Sequence, residues 1–279
     1  MREIKAAVIS DAVRGMCISA AYDLPGGTKR KIEESLVSED WPPAKSILER
    51  IIENYELAAD KSIPICQDTG AALVFVEIGQ DVFVSGDLNE AINDGVRRGF
   101  RDGYLRASIV ADPLRRSNTN DNTPAMIHYD IVPGSVCKIT IALKGFGSEN
   151  MSRIAMLAPG DGYEGVRAFV LRAVEEAGGN PCPPIVVGVG IGGSFDKAAL
   201  LAKKALLRPL DDIHTDKFYA DMEDELLEAI NALGVGPQGL GGRTTALAVK
   251  IEVMPTHIVS LPVAVNINCY VSRTIREEL

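Results

Sequence analysis

The sequence predicts a mixed α/β (α+β) fold, with a helical N-terminal part followed by a mixed β-sheet region with flanking helices. Three observations lead to this prediction. Apolar residues recur at helical spacing through roughly the first 60 residues, strand-like apolar runs begin at position 71, and amphipathic stretches separate those runs. No repeat or linker interrupts the chain. We therefore expect one domain over 1–279, with a helical segment at about 1–62 and a mixed segment at about 63–279.

The N-terminal segment is predicted to contain two helices. Apolar residues recur every three or four positions over residues 2–20, and the Pro-Gly-Gly turn at 25–27 ends that helix. Pro43 suits the first turn of a second helix, because its fixed φ angle fits there and its missing N–H needs no partner. Continued apolar spacing predicts that this helix runs to about Lys61.

Predicted strands and helices alternate through the rest of the chain. Strands are expected where apolar and β-branched residues run together, at 71–79, 126–132, 136–144, 184–190, 244–253 and 257–269. Helices are expected where the apolar spacing becomes helical, at 87–105, 160–177, 194–207 and 215–233. Helices first, and mixed elements afterwards, favour an α/β or α+β domain.

Composition and charge exclude several classes of protein. The chain has 29 Lys and Arg against 38 Asp and Glu, a net charge of −9, and no basic stripe, which excludes a nucleic-acid-binding surface. A few local cations can still bind an anionic substrate. No apolar run is long and uninterrupted enough for a signal peptide or a membrane span, so we expect a cytoplasmic protein without a membrane partner.

The five cysteines indicate metal binding rather than a disulfide framework. Their number is odd, their spacing is wide, and thiols stay reduced in the cytoplasm. Cys17 and Cys137 fall on predicted regular elements, where a cysteine is usually a small buried apolar residue. Cys66, Cys182 and Cys269 fall in Gly-, Pro- or Asn-rich stretches. Their spacing fits no zinc ribbon, but it is compatible with three thiolates on a [4Fe–4S] cluster whose fourth iron stays open.

The surroundings of the first two of these cysteines suit reactive loops. Residues 64–70 read PICQDTG between a predicted helix and a predicted strand, so Cys66 lies beside an amide and a carboxylate. The alternative is an ordinary turn, because Asp, Thr and Gly are common turn residues. Residues 180–184 read NPCPP, and the prolines favour a rigid loop around Cys182. A buried cysteine at a strand entrance is the alternative there.

Six segments together resemble the class I, iron–sulfur-dependent fumarase family, and in particular its separate alpha subunit. They cover essentially the whole chain: PICQDTG, LRAS at 105–108, DNTPA at 121–125, KGFGSENMSR at 144–153, NPCPPIVVGVGIGGSFDKAALLAKKAL at 180–206, and the run to Cys269. The resemblance implies that a [4Fe–4S] cluster is held by Cys66, Cys182 and Cys269.

The resemblance also implies roles for the other candidate site residues. It assigns the catalytic polar groups to Gln67, Asp68 and His257. It assigns substrate binding to Arg106, which would hold a carboxylate, and to Gly145, Gly147 and Ser148 of a glycine-rich turn. From the residues alone, a lone histidine such as His257 is more often structural. Arg106 by itself would be interpreted as part of a solvated basic helix face.

The implied activity is that of a hydro-lyase: reversible hydration of fumarate to malate, a step of the tricarboxylic acid cycle, with the open iron as Lewis acid. The remaining substrate contacts of the family belong to a beta region, whereas this chain ends at Leu279 soon after the third cysteine. We therefore expect a separate beta subunit that completes the active site, and an α₂β₂ assembly by resemblance.

Three alternatives stay open at this point. The alpha subunit of L-tartrate dehydratase, or a mesaconate hydratase, would share the cluster and differ in substrate. A non-catalytic iron–sulfur protein would need no carboxylate-binding arginine. The segment at 188–193 matches G-x-G-x-x-G and could indicate a dinucleotide site, but Asp211 and Asp212 follow a helix rather than a second strand.

Overall fold

The computed structural model describes all 279 residues, which divide into two compact units. The first unit comprises Met1–Pro25, Asn54–Phe146 and Val271–Leu279. The second unit comprises Gly26–Glu53 and Gly147–Tyr270. Neither unit is one continuous stretch of chain. The prediction of a single domain over 1–279 therefore stays a prediction, and each unit is described by itself.

Helices and strands alternate along most of the chain. The helices are α1 (Ala6–Tyr22), α2 (Gly26–Ser38), α3 (Pro42–Lys61), α4 (Leu88–Asp102), α5 (Phe146–Glu149), α6 (Gly162–Ala177), α7 (Phe195–Ala205) and α8 (Lys217–Ala232). The strands are β1 (Arg2–Lys5), β2 (Ala71–Gly79), β3 (Val82–Ser85), β4 (Met126–Val132), β5 (Cys137–Lys144), β6 (Arg153–Leu157), β7 (Ile185–Gly192), β8 (Ala246–Met254), β9 (Leu261–Cys269) and β10 (Arg273–Glu278). The predicted mixed α/β class is confirmed. None of the helices is both long enough and apolar enough to cross a bilayer.

The sequence prediction missed α2, β3, α5 and β6, and it also differs from the structure at the two ends of the chain. Residues 2–5 form β1 and not the first turn of the predicted helix, because they pair in parallel with β3. Local spacing cannot reveal a distant pairing partner. The segment RTIREE, which forms β10, was not predicted as a strand. It lies at the edge of its sheet, where polar residues are tolerated and leave no apolar pattern.

A four-stranded sheet in the order β10-β5-β2-β4 forms the centre of the first unit. β2 is parallel to β4 and antiparallel to β5, and β10 is antiparallel to β5. Alternate residues of β2 (Ala72, Val74 and Val76) are buried in the apolar core of this unit. α1 and α4 pack against each other, and both contribute to the same apolar core as the sheet. The sheet brings the start of β2, the end of β5 and the start of β10 to the same end of the sheet.

The second unit is built on a sheet in the order β6-β9-β7-β8. One face of this sheet packs against α6 and α8 through a large apolar cluster. The other face packs against α7, which approaches two glycines of β7. A Cβ on Gly188 would lie 2.2 Å from the carbonyl oxygen of Ala202, and one on Gly190 would lie 2.1 Å from that of Ala198. The first two glycines of the G-x-G-x-x-G segment therefore lie inside a strand and allow close helix packing.

Candidate functional site

The PICQDTG loop at 64–70 lies in the first unit, between α3 and β2. The carboxylate of Asp68 in this loop accepts two backbone hydrogen bonds. Oδ1 accepts from the amide of Gly70 at 3.0 Å, and Oδ2 accepts from the amide of Phe146 at 3.0 Å. Two such donors hold the carboxylate in one orientation beside Cys66, which is half-buried. The sequence therefore predicted this polar loop correctly, although it could not reveal the contact with Phe146.

Two buried polar side chains anchor the loop. The hydroxyl of Thr69 accepts a hydrogen bond from the amide of Arg106 at 2.9 Å, and Thr69 is 2% exposed. Asn122, which is fully buried, donates from Nδ2 to the carbonyl of Gly70 at 3.1 Å and accepts from the amide of Ser108 at 2.7 Å. The LRAS and DNTPA segments are thus the supports of the PICQDTG loop. Sequence analysis quoted both segments but missed the anchoring roles of Thr69 and Asn122.

The candidate residues Gln67 and Arg106 both have exposed side chains. Gln67 Oε1 accepts a weak hydrogen bond from the thiol of Cys66 at 3.5 Å. Arg106 follows α4 closely, and its backbone, rather than its side chain, makes the contact with Thr69. The exposed guanidinium is therefore able to bind an anion without first breaking that contact. Its proposed partner, a substrate carboxylate, is untested.

Arg273 is a buried arginine beside this loop that sequence analysis missed. It begins β10 and is 2% exposed. Its Nε donates to the carbonyl of Leu143 at 3.1 Å, and its Nη1 donates to the carbonyl of Asp68 at 2.7 Å. The pairing of Arg273 with Leu143 in the sheet places the side chain at this edge. No sequence signal marks it, because only the edge pairing of β10 brings it to Asp68.

Gly145 lies where a larger residue would force its neighbours to move. A Cβ at this position would lie 3.1 Å from Oδ2 of Asp68 and 3.4 Å from Nη2 of Arg273. The neighbouring Lys144 is 3% exposed, and its Nζ donates to the carbonyl of Gly145 at 3.3 Å. A carboxylate and two buried cations thus surround this glycine. A side chain at position 145 would therefore disturb Asp68 and Arg273, whereas the predicted part of Gly145 in substrate binding stays a prediction.

Gly147 and Ser148 do not lie in an open turn, as the glycine-rich pattern suggested, but in the short helix α5. Gly147 is exposed, and a Cβ there would meet no atom within 4 Å. Ser148 is buried, and its carbonyl accepts from the amide of Met151 at 3.1 Å. Their predicted part in substrate binding is not tested by these contacts and stays a prediction.

Cys182 and Cys269 lie at the same end of the sheet in the second unit. β9 runs antiparallel to β7 with Cys269 opposite Ile185, and the NPCPP segment leads directly into β7. Cys182 is exposed and has a φ of 57°, which is uncommon for a residue other than glycine. The carbonyl of Pro183 accepts from both the backbone amide and the side-chain amide of Gln238, each at 2.8 Å. The loop is therefore rigid, as the prolines predicted.

Two buried asparagines precede Cys269 on β9. Asn266 is 5% exposed, and its Nδ2 donates to Glu149 at 2.8 Å and to Ser152 at 2.7 Å. Asn268 is 6% exposed. The Oδ1 atoms of both side chains have no hydrogen-bond partner within the protein. Buried polar atoms are normally satisfied, so these two oxygens indicate that a group from outside the chain, or water, completes this region.

His257 lies in the second unit, on an exposed turn before β9. The strand begins at Leu261, so the expectation that His257 begins it was wrong. The carbonyl of His257 instead accepts from the amide of Ser260 at 2.9 Å, and its Nδ1 faces the amide of Val259 at 3.4 Å. These contacts close a local turn and delay the start of the strand. A catalytic role for His257 stays a prediction.

The accessibility of the five cysteines separates them into the two predicted groups. Cys17 and Cys137 are fully buried, and burial raises the pKa of the Cys17 thiol to about 12 and also raises that of Cys137. None of the five forms a disulfide. The other three are at least partly accessible, and thiolates at such positions are the ligands that iron–sulfur groups use. Cys66 belongs to the first unit and the other two to the second, and neither unit by itself gathers three metal-binding side chains.

The donor set is compatible with an iron–sulfur group, because its members are soft thiols. Three soft thiols lie in loops or at a strand end, and two of them share one sheet edge beside unsatisfied amide oxygens. Hard cations such as Mg²⁺ prefer oxygen ligands, which no cysteine triplet offers. Cys17 and Cys137 lie inside the apolar core of the first unit, and burial raises the pKa of both thiols, so they are less suited to bind a metal than the three accessible ones.

Comparisons with known proteins agree with these motifs. The family model described as "Fumarate hydratase (Fumerase)" matches residues 10–278. The putative L(+)-tartrate dehydratase subunit alpha of Methanocaldococcus jannaschii is 44% identical over 272 residues, which covers 95% of each chain. The L(+)-tartrate dehydratase subunit alpha of Escherichia coli K12 is 33% identical over 269 residues, covering 95% of this chain and 88% of the relative.

Proposed function

The chain belongs to the fumarate hydratase (Fumerase) family, and on this premise we propose that it is the alpha subunit of a two-subunit hydro-lyase that reversibly hydrates fumarate to malate. The family match confirms the resemblance that the motifs indicated. The observation that carries the proposal is the carboxylate of Asp68, held by two backbone amides beside the accessible Cys66. Such a fixed carboxylate beside an accessible thiol suits proton transfer to and from a substrate oxygen.

Cys66, Cys182 and Cys269 would hold a [4Fe–4S] cluster. When bound, this cluster would supply a Lewis acid, because three protein ligands leave one iron open to the substrate. The accessible positions of the three thiols support this assignment, as does the burial of Cys17 and Cys137. The beta subunit would then not be needed as a source of cluster ligands.

The polar residues of this chain would hold protons and orient the diacid. Asp68 would take up or return the proton of the substrate hydroxyl at the carboxylate oxygen, with His257 as its hydrogen-bonding partner. Gln67 would donate a hydrogen bond to a substrate oxygen from its exposed amide. Arg106 would bind one carboxylate through its exposed guanidinium, ideally by two parallel hydrogen bonds that fix the direction of the substrate.

Gly145 would let the substrate approach the backbone closely. A side chain there would also push against Asp68 and Arg273, because its Cβ would lie 3.1 and 3.4 Å from their side-chain atoms. Gly147 and Ser148 would extend this contact along α5. In water-poor surroundings such backbone groups stabilise developing charge more strongly than they do in bulk water.

A beta subunit would complete the active site and remove the proton from the carbon next to the hydroxyl. The names of the relatives support this division, because each is called a subunit alpha. We further propose an α₂β₂ assembly, a cytoplasmic location and a place in the tricarboxylic acid cycle.

L(+)-tartrate is the second candidate substrate, because the relatives are named L(+)-tartrate dehydratase subunit alpha. Its dehydration uses the same chemistry, since tartrate is malate with a second hydroxyl. The fumarase-like segment KGFGSEN at 144–150 is the reason to place fumarate first. A site that hydrogen-bonds a substrate hydroxyl rejects an analogue without it by about 10⁴-fold or more, so the two substrates are separable by rate.

The deciding experiment is an anaerobic assay of this chain with its beta subunit, after cluster reconstitution. Fumarate hydration and L(+)-tartrate dehydration are measured side by side as kcat/KM. Preference for fumarate supports the main proposal, and preference for tartrate keeps the hydro-lyase mechanism while changing the substrate. A complex with a full cluster and no turnover of either diacid would refute both.

A further inference from the structure

The buried guanidinium of Arg273 has no role in the function proposed above, although it touches Asp68. It is 2% exposed and donates to the carbonyls of Leu143 and Asp68 at 3.1 and 2.7 Å. Its charge is permanent, because the guanidinium does not lose its proton under any ordinary condition. A buried charge is costly unless its surroundings stabilise it, and here the stabilising groups are main-chain carbonyls.

Arg273 and the two amide donors hold Asp68 from different sides. Gly70 and Phe146 donate to the side-chain carboxylate at 3.0 Å each, whereas Arg273 donates to the main-chain carbonyl of the same residue. The first pair fixes where the carboxylate points. The arginine fixes the backbone from which that side chain projects. Losing the arginine would leave the peptide between Asp68 and Thr69 without its buried donor.

The sheet fixes Arg273 itself. Its position opposite Leu143 in the antiparallel pairing of β10 with β5 places the side chain at the edge where β5 ends and β2 begins. The Nε bond to Leu143 then restricts the guanidinium to one direction. A Cβ on Gly145 would lie 3.4 Å from Nη2 of Arg273 and 3.1 Å from Oδ2 of Asp68. The arginine is thus a rigid part of the scaffold, not a mobile surface cation.

We propose that Arg273 is a positioning residue that holds the backbone of Asp68 and thereby sets the orientation of its carboxylate for catalysis. The claim that this orientation serves catalysis rests on the proposed function. The claim that Arg273 holds the backbone of Asp68, which is the structural half of the proposal, does not depend on it. Arg273 acts through Asp68 and does not itself touch the substrate. Misplacing a catalytic group by about 1 Å can cost about 100-fold in rate, which sets the size of the expected effect.

The test compares Arg273→Met and Arg273→Lys in the cluster-loaded complex with the beta subunit. We expect Arg273→Met to lower kcat by about 10- to 100-fold while KM changes by less than about twofold. Arg273→Lys should recover part of the loss, because an ammonium can still donate to one of the two carbonyls. Arg276→Met is the matched control. Arg276 is an exposed arginine of the same strand whose Nε donates to Thr140 at 3.3 Å, and its loss should leave kcat unchanged.

A second measurement needs no substrate and no activity. Hydrogen exchange in the full-length chain reports on the amides of Gly70 and Phe146, both of which donate to Asp68. Arg273→Met should raise the exchange rates of these two amides by about 10-fold, while amides in the middle of β2 stay protected. Arg273→Lys should give a smaller increase and Arg276→Met none.

The outcomes separate this proposal from the proposed function. Unchanged exchange at Gly70 and Phe146 in Arg273→Met would overturn the positioning role, whichever diacid the enzyme uses. A large rise in KM with an unchanged kcat would also overturn it, because the arginine would then bind substrate directly. Faster exchange in a complex that turns over neither diacid would support the structural half while the proposed function fails. If Arg273→Met does not fold, Arg273→Lys decides by the same two measurements.

Discussion

At the scale of single residues, Asp68 shows how main-chain geometry prepares a side chain for chemistry. Its carboxylate accepts from two amides that lie far apart in the sequence, those of Gly70 and Phe146. These donors are main-chain groups, so they hold the carboxylate without the ordering of a further side chain. A carboxylate held in this way keeps acceptor capacity for a substrate proton.

Replacing Asp68 by Asn tests its catalytic role. The amide keeps the shape of the carboxylate but carries no charge and cannot take up a proton. We expect kcat of the loaded complex to fall by about 10²- to 10⁴-fold. The measurement is the steady-state rate with the preferred diacid. Asp81→Asn, at an exposed position outside the site, is the control and should retain full activity. Equal rates for Asp68→Asn and the unmodified complex would exclude Asp68 as a proton-transfer group.

The cysteines provide a second prediction at this scale. Replacing Cys66, Cys182 or Cys269 by Ser should abolish the visible absorption of a reconstituted cluster and lower the iron content, because three thiolates are needed to hold it. Cys17→Ala and Cys137→Ala are the controls, since both thiols are fully buried and have raised pKa values. Loss of iron in Cys137→Ala, with normal loading of Cys182→Ser, would show that the ligand set is wrong.

At the scale of elements, glycines decide which helices can approach closely. α1 and α4 pack together in the first unit because α4 presents Gly95 and Gly99 to its neighbour. A Cβ on Gly95 would lie 2.6 Å from the Cβ of Val13, and one on Gly99 would lie 2.8 Å from that of Cys17. Real carbon atoms do not approach so closely, so these positions require glycine for steric reasons rather than for backbone flexibility.

Gly95→Ala and Gly15→Ala should change stability in opposite directions. The first adds a methyl group where α1 already fills the space, and we expect the free energy of unfolding to fall by about 1–3 kcal/mol. The second adds a methyl group to an exposed glycine of α1 with no atom within 4 Å. It should raise the free energy of unfolding by about 0.5–1 kcal/mol through helix propensity. Urea unfolding of both variants checks the signs, and a stabilised Gly95→Ala would contradict the packing argument.

β7 illustrates the same effect in a sheet. Its glycines, which resemble a nucleotide-binding motif, are explained by the close packing of α7. The turn after the strand contains Gly192 and Gly193, which have φ angles of 91° and 68°. Such angles favour glycine without any ligand. A motif defined by glycine spacing alone therefore cannot distinguish phosphate binding from helix packing.

At the scale of the whole molecule, the candidate site residues are divided between the two units. The second unit carries two of the three candidate thiols together with two buried amide oxygens that have no partner within the protein. The first unit carries the loop with Cys66 and Asp68. No residue of this chain has been assigned to remove the carbon-bound proton. The relatives, each named a subunit alpha, agree with a catalytic partner chain.

We therefore expect the purified chain to be inactive by itself and active after mixing with its beta subunit. The physical reason is that the proposed role of Asp68 is at the substrate oxygen, whereas removal of the carbon-bound proton would need a separate base. The measurement is diacid turnover, with the cluster content of the chain determined before and after mixing. Full turnover by the cluster-loaded chain alone would contradict the two-subunit model.

Sequence and tertiary structure contributed differently to this account. The sequence by itself determined the mixed α/β class, the strands at 71–79 and 126–132, the polar loop around Cys66, and the separation of buried from accessible cysteines. These features depend on local composition and on the periodicity of apolar residues, which are present in the sequence itself. The family motifs determined the hydro-lyase family in the same way, because each is a short continuous segment.

Only the tertiary structure decided the features that depend on distant pairing. β1 is a strand because β3 pairs with it, and the polar β10 is a strand because it forms the edge beside β5. That edge brings Arg273 to the carbonyl of Asp68, and the end of β5 brings the amide of Phe146 to its carboxylate. Hydrogen bonds between segments remote in sequence leave no periodic signal, because each partner by itself is an ordinary residue in an ordinary context.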